Sequence, residues 1–234
     1  MLIHGLNKLT LLDYPGHMAC LVFTGGCDFR CPFCQNKDLV LNPSSQPVTT
    51  EDEFFSFLEK RKGVLEGVVI TGGEPTLNID LIPFIRRVKA EGYLVKLDTN
   101  GTNPGAIREL LSEGLLDYIA MDIKNSREKY AETSGIPKDS PLLGKIEESV
   151  ELIKNSGIDY EFRTTVIKEY HTSDDLLSIA AWISGAKAYY LQPFRDCDTL
   201  VGAKEGTLHA PERPWLESLI PELKKQAGKV EIRG

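Results

Sequence analysis

MACLVFTGGCDFRCPFCQN, residues 18–36, passes from an almost continuous apolar run straight into three cysteines, Cys27, Cys31 and Cys34. An apolar run without polar alternation is the pattern of a strand covered on both faces, as in a parallel sheet. In parallel α/β folds the reactive groups gather at the C-terminal ends of the strands. Cysteines placed directly behind such a strand therefore read as a site at the rim of the sheet. Three thiols suit neither common structural use, since a disulfide takes two and a structural zinc takes four Cys or His ligands.

The pattern recurs along the chain. GVVITGG (67–73), YLVKLDTNG (93–101), YIAMDIK (118–124), YEFRTTVI (160–167) and AYYLQPF (188–194) give five further strands. Amphipathic helical segments separate them. TTEDEFFSFLEKRKGVLEG opens with a capping box, Thr50 with Glu53. LGKIEESVELIKNSG places Ile146, Val150 and Ile153 on one face and stops at Gly157. Strands alternating with helices imply right-handed βαβ units, which six times over fit an open partial barrel or a doubly wound sheet.

Composition narrows the classes. With 27 basic against 34 acidic residues the formal charge is −7, which argues against a nucleic-acid surface. No run of 18 or more apolar residues and no basic leader before an apolar core occurs, so no membrane role is expected and a cytoplasmic location is. In a reducing compartment the five cysteines are metal ligands, catalytic groups or core residues before they are disulfides.

The remaining polar constellations also fall at strand ends. GGEP (72–75) follows the second strand; its glycine pair permits close approach of backbone to a ligand, and Glu74 can accept hydrogen bonds from an ammonium, although a plain turn ending at Pro75 accounts for it equally. Asp98 of DTNG and Asp122 of DIK end neighbouring strands, about 5 Å apart by sheet spacing, so they repel unless a cation or a proton intervenes. Lys124, a cationic ligand or a metal ion could serve. Asn100 suits an Asx turn before Gly101. Arg163 interrupts a buried strand and needs an anionic partner, either a substrate carboxylate or a residue such as Asp98. His171 and His209 are expected in loops or at the surface, and Cys197 as an incidental thiol.

For the cysteines two readings compete. Structural zinc needs a fourth ligand from Cys20, His4, His17 or Cys197. A cubane 4Fe–4S cluster takes four cysteines when it only carries electrons, so three leave one iron open to an exogenous ligand. The C-x-x-x-C-x-x-C motif with Phe33 before its last cysteine, followed by GGEP after the second strand, resembles the radical S-adenosylmethionine (SAM) superfamily across nearly the whole chain. That resemblance implies a partial (β/α)6 TIM-like barrel in a single domain, residues 1–234, with an N-terminal extension (1–17), a βα core (18–194) and a C-terminal helical segment with a short tail (195–234). It implies a 4Fe–4S cluster on Cys27, Cys31 and Cys34, whose open iron takes the methionine moiety of SAM. It also implies that Gly73 and Glu74 hold the SAM amino group, that Phe33 borders the adenine, and that Gly72, Asp98, Asn100, Asp122, Lys124 and Arg163 complete the cofactor site. The histidine that some relatives place near the sixth strand end is replaced here by Gln192 and Arg195, which leaves the ribose contact unassigned. No side chain is assigned as catalytic, because the radical belongs to the cofactor.

Only Cys20 and Cys197 lie outside the motif, too few for an auxiliary cluster. The opening NKLTLLDYPGHMACLVFTGGCDFRCPFCQN, with Asp13, Pro15 and Gly16 in a D-x-P-G element, is similar to the activating proteins of anaerobic ribonucleoside-triphosphate reductases. The similarity implies a large glycyl-radical enzyme as partner, an anaerobic ribonucleotide reductase, and an electron donor such as flavodoxin or ferredoxin. Two alternatives are an enzyme acting on a small molecule, like 7-carboxy-7-deazaguanine synthase, and a zinc-stabilised α/β binding protein without catalysis.

Overall fold

The computed structural model describes residues 1–234. Eight strands form one sheet in chain order: β1 (Gly5–Thr10), β2 (Ala19–Thr24), β3 (Gly67–Gly72), β4 (Leu94–Thr99), β5 (Tyr118–Asp122), β6 (Asp159–Val166), β7 (Ala188–Pro193) and β8 (Lys229–Ile232). β1 runs antiparallel to β2 and every later pair is parallel. β1 and β8 are the two edges and do not pair with each other, so the curved sheet stays open. The six strands expected from the sequence are β2 to β7. The two edge strands lie in the segments expected as extension and tail: β1 leaves half of its residues exposed and β8 spans only four, so neither carries an apolar signature, and pairing with β2 and β7 defines them.

The helices are α1 (Lys37–Leu41), α2 (Glu51–Glu59), α3 (Leu81–Ala90), α4 (Pro104–Ser112), α5 (Tyr130–Ser134), α6 (Leu142–Lys154), α7 (Ser173–Trp182) and α8 (Arg213–Leu223). The Thr50–Glu53 capping box starts α2, and Thr172 with Asp175 starts α7 in the same way. α6 buries Ile146, Val150 and Ile153 on one stripe. One face of the strands, with Val22, Ile70, Leu97, Met121 and Phe162, packs against Phe54, Phe84, Ile107 and Ile179 of the helices in a single core. No helix is long and apolar enough to cross a membrane.

Because successive strand residues face opposite sides, the alternate positions line the inside of the curve. Its lower part is apolar. Ala19, Leu21 and Val69 close around Tyr14, which the β1–β2 loop delivers to the start of the strands, 2% exposed. A Cβ on Gly67 would sit 2.8 Å from the Tyr14 ring, so this strand start accepts only glycine without displacing the ring. The D-x-P-G element is thus accounted for locally: the Thr10 hydroxyl donates to the Asp13 carboxylate and accepts from the Asp13 N–H at 3.2 Å, turning the loop so that Tyr14 plugs the base. Above this plug the interior becomes charged.

Candidate active site

The loop from Gly25 to Asn36 is held by backbone bonds from several elements. Glu74 N–H donates to Gly26 O at 2.8 Å, Gly26 N–H to Leu39 O at 2.8 Å, Arg30 N–H to Ser134 O at 2.9 Å, and Val201 N–H to Cys34 O at 3.1 Å. The side chains of Gln35 and Asn36 donate to Arg195 O at 2.6 Å and Gly72 O at 2.8 Å. The Gly72–Gly73 pair, expected to approach a ligand, comes first against the cysteine loop: a Cβ on Gly73 would lie 1.9 Å from Gly26 O. That contact fixes the loop against the end of β3.

Cys27, Cys31 and Cys34 line one cavity of about 510 Å³ at the C-terminal ends of the strands. They are free thiols, and burial pushes those of Cys27 and Cys31 up to about 12. Such thiols ionise when metal replaces the proton. The donor set fits a cluster better than zinc. No three Cys, His, Asp or Glu side chains converge on one point as a single ion requires, whereas each thiolate of a cubane binds a different iron. None of the four possible additional ligands lines the cavity, and Cys20 is wholly buried on the helix-facing side of β2.

Phe33, Gly72, Gly73, Asp98, Asn100, Asp122, Lys124 and Arg163 also line this cavity, as do Gln192 and Arg195. Glu74 does not. Its side chain is fully buried and turned away from the cavity: Oε1 accepts from Thr76 N–H at 3.1 Å, the Thr76 hydroxyl at 2.5 Å and the Thr99 hydroxyl at 2.8 Å, and Oε2 from Asn100 N–H at 2.6 Å. In this arrangement the Glu74 carboxylate meets these donors and does not line the cavity. Its carboxylate is consumed by four donors that join the ends of β3 and β4, and burial, opposed by those bonds, pushes its pKa up to about 7.

The carboxylates are not level across the sheet, as spacing alone suggested. Asp98 is opposite Ala120, and Asp122 lies two residues further along, opposite Arg163. The short Ala120 leaves room for the Arg163 guanidinium, which reaches Asp122 Oδ1 at 2.9 Å and Asp98 Oδ2 at 3.4 Å. Lys96 pairs with Asp98 from below, and Lys124 Nζ with Asp122 Oδ2 at 3.0 Å from above. The cation between the acids is therefore Arg163, in a ladder of alternating charge, and its structural partner is Asp98 together with Asp122. Burial would raise the Asp122 pKa, but Arg163 and Lys124 prevail and hold it below the usual carboxylate range. Lys124 and Arg163 are correspondingly held charged by Asp122 against their own burial.

Several residues of this network were not anticipated. Lys96, 1% exposed, and Glu161, fully buried, stand two residues before Asp98 and Arg163, a spacing that places each pair on one strand face. Arg233, after β8, forks onto Glu161 at 2.7 and 2.9 Å and stacks over Tyr190; nothing local in the sequence announces it. His171, expected in a loop or at the surface, lies in the loop between β6 and α7 but is only 3% exposed, and bridges Ile167 N–H at 3.1 Å and Lys124 O at 2.9 Å.

The Radical SAM superfamily profile matches residues 21–183. A Methanocaldococcus jannaschii protein bearing the name of a glycyl-radical enzyme activating enzyme is 33% identical over 99% of this chain and 95% of its own length. The pyruvate formate-lyase 1-activating enzyme of Escherichia coli K12 is 26% identical over 74% of this chain and 70% of its own. Among solved structures, a radical SAM methyltransferase from Sphaerobacter thermophilus superposes on 96% of this chain and 68% of its own with a TM-score of 0.74 at 16% identity, a likeness of fold. With three cysteines on one cavity of an open parallel barrel, the chain belongs to the radical SAM superfamily and, within it, to the family of glycyl-radical enzyme activating enzymes.

Proposed function

We propose that the chain converts one glycine of a large partner enzyme, an anaerobic ribonucleotide reductase, into a glycyl radical, with flavodoxin or ferredoxin as electron donor. When bound, the cluster and SAM supply a 5′-deoxyadenosyl radical for hydrogen abstraction. The observation that carries the reading is the shape of the cavity. Its lining extends from the cysteines to Leu12 and Asp13 beside β1 and to Arg195 and Arg233 beside β7 and β8, and the sheet is open between those edges. Such an opening accommodates a loop of polypeptide, and Leu12, 86% exposed, offers it an apolar lip. A closed pocket would favour a small molecule instead.

Within the cavity, Gly72 and Gly73 present backbone to the SAM amino group, and Phe33 borders the adenine. Lys124 has two donors beyond its bond to Asp122 for the SAM carboxylate. Gln192 and Arg195, on the same cavity, serve the ribose. The test is anaerobic: reconstituted, dithionite-reduced protein is mixed with SAM and the reductase of its own organism, and electron paramagnetic resonance (EPR) and 5′-deoxyadenosine are followed. A doublet-type glycyl signal that grows with 5′-deoxyadenosine is expected. Formation of 5′-deoxyadenosine without that signal would overturn the assignment of the substrate.

A further inference from the structure

Asn100 occupies the turn expected of it, yet its side chain does more than close the turn. Its Oδ1 accepts from Thr102 N–H at 2.9 Å and from the Thr102 hydroxyl at 2.8 Å. Two donors on the oxygen settle which way the carboxamide faces. Its nitrogen therefore points to the cysteine loop, 2.8 Å from Asp28 Oδ1 and 3.8 Å from Cys27 Sγ, close enough for one hydrogen to each. The Phe29 N–H also faces this sulfur, at 3.4 Å. Cys31 Sγ has the opposite neighbour, the Ser134 carbonyl oxygen at 3.7 Å. The position of Asn100 is set from behind by the Glu74 carboxylate, and the residue is 5% exposed.

Hydrogen bonds to the sulfurs are among the determinants of an iron–sulfur potential. One-electron reduction of the cluster by an external donor places additional negative charge on its sulfurs, and an N–H aimed at a sulfur stabilises that charge. We propose that Asn100 is a positioning residue of the cluster, and that through its amide hydrogen bond to Cys27 it raises the reduction potential and so eases the entry of the electron. GGEP and DTNG thereby act together, with Glu74 holding Asn100 and Asn100 tuning Cys27. The inference rests on the cluster being held by Cys27 and is independent of which polypeptide is activated.

The experiment is an EPR-monitored redox titration of the reconstituted wild type, Asn100→Ser, Asn100→Asp and Asp28→Ala proteins without SAM, with iron content and far-UV circular dichroism as controls. In Asn100→Ser the hydroxyl still accepts from Thr102 N–H and keeps the turn, but no longer reaches Cys27. At the wild-type midpoint its ratio of reduced to oxidised cluster is expected to fall about tenfold, which for one electron is a shift of about 59 mV. Asn100→Asp, which exchanges the donor for a second carboxylate, is expected to fall further. Asp28→Ala retains the donor and removes the neighbouring charge, so its ratio is expected to rise. Wild-type midpoints in both Asn100 variants at full iron content would overturn the proposal; so would a lowered midpoint in Asp28→Ala, which decides the matter if the Asn100 variants fail to fold. A wild-type protein that takes up no cluster would contradict the cofactor assignment instead.

Discussion

At the residue scale, Glu74 and Arg163 show how a buried charge at the strand ends holds its neighbours in place. Each Glu74 oxygen is occupied, so the amide in Glu74→Gln cannot satisfy all four donors and leaves one of them, such as the Asn100 N–H, unpaired. An orphaned buried donor costs about 1–3 kcal/mol, and urea unfolding of the cluster-free protein is expected to register a loss of that size. The pH dependence has a definite sign. The ordinary glutamate value of 4.5 is raised to about 7 in the folded chain, so between these values the native state holds a proton that the unfolded state has released. This contribution to stability is complete below about pH 4.5, falls as pH rises towards 7 and is gone above it. Comparison of wild type with Glu74→Gln at pH 5 and pH 7.5 is expected to give the smaller stability difference at pH 7.5. Arg163→Met leaves Asp98 and Asp122 facing each other with only Lys96 and Lys124 as partners, and is expected to destabilise the fold by about 3 kcal/mol in the same measurement.

At the scale of elements, the contact between the loop after β2 and the end of β3 is the tightest in the site. A methyl group on Gly73 would occupy the position of Gly26 O, and the strand end must move to admit it. Gly73→Ala is therefore expected to cost about 3 kcal/mol and to lower iron retention after reconstitution, read from the melting temperature and iron content. Much of this level was legible in the residues. The six parallel strands were visible as apolar runs because both of their faces are covered, and the α2 cap because Thr50 and Glu53 meet within a single turn. β1 was hidden by its exposed, polar residues and β8 by its brevity. The site was legible in identity but not in register: alternation places Asp98 and Asp122 on the inner face, whereas the two-residue stagger that admits Arg163 arises from how β4, β5 and β6 pair.

At the scale of the whole molecule, cluster binding separates the cysteines. Cys27→Ala, Cys31→Ala and Cys34→Ala each remove a ligand from the cavity and are expected to lose nearly all of the about four iron per chain that a cubane brings. Cys20→Ala and Cys197→Ala are expected to retain it, since neither lines the cavity. Iron analysis and the visible absorption of anaerobically reconstituted protein read both outcomes.

The parallel α/β class, the identity of the three thiols and the placing of polar residues at strand ends can be read from the residues alone, because they depend on local pattern and on spacing along the chain. That Glu74 faces inward to four donors, that Arg163 is the cation shared by Asp98 and Asp122, that Asn100 reaches Cys27, and that Arg233 joins the buried charges emerges with the folded chain. Those contacts link residues distant in the chain, and their geometry is set by strand register and by loop backbones packed against one another, which no local pattern encodes.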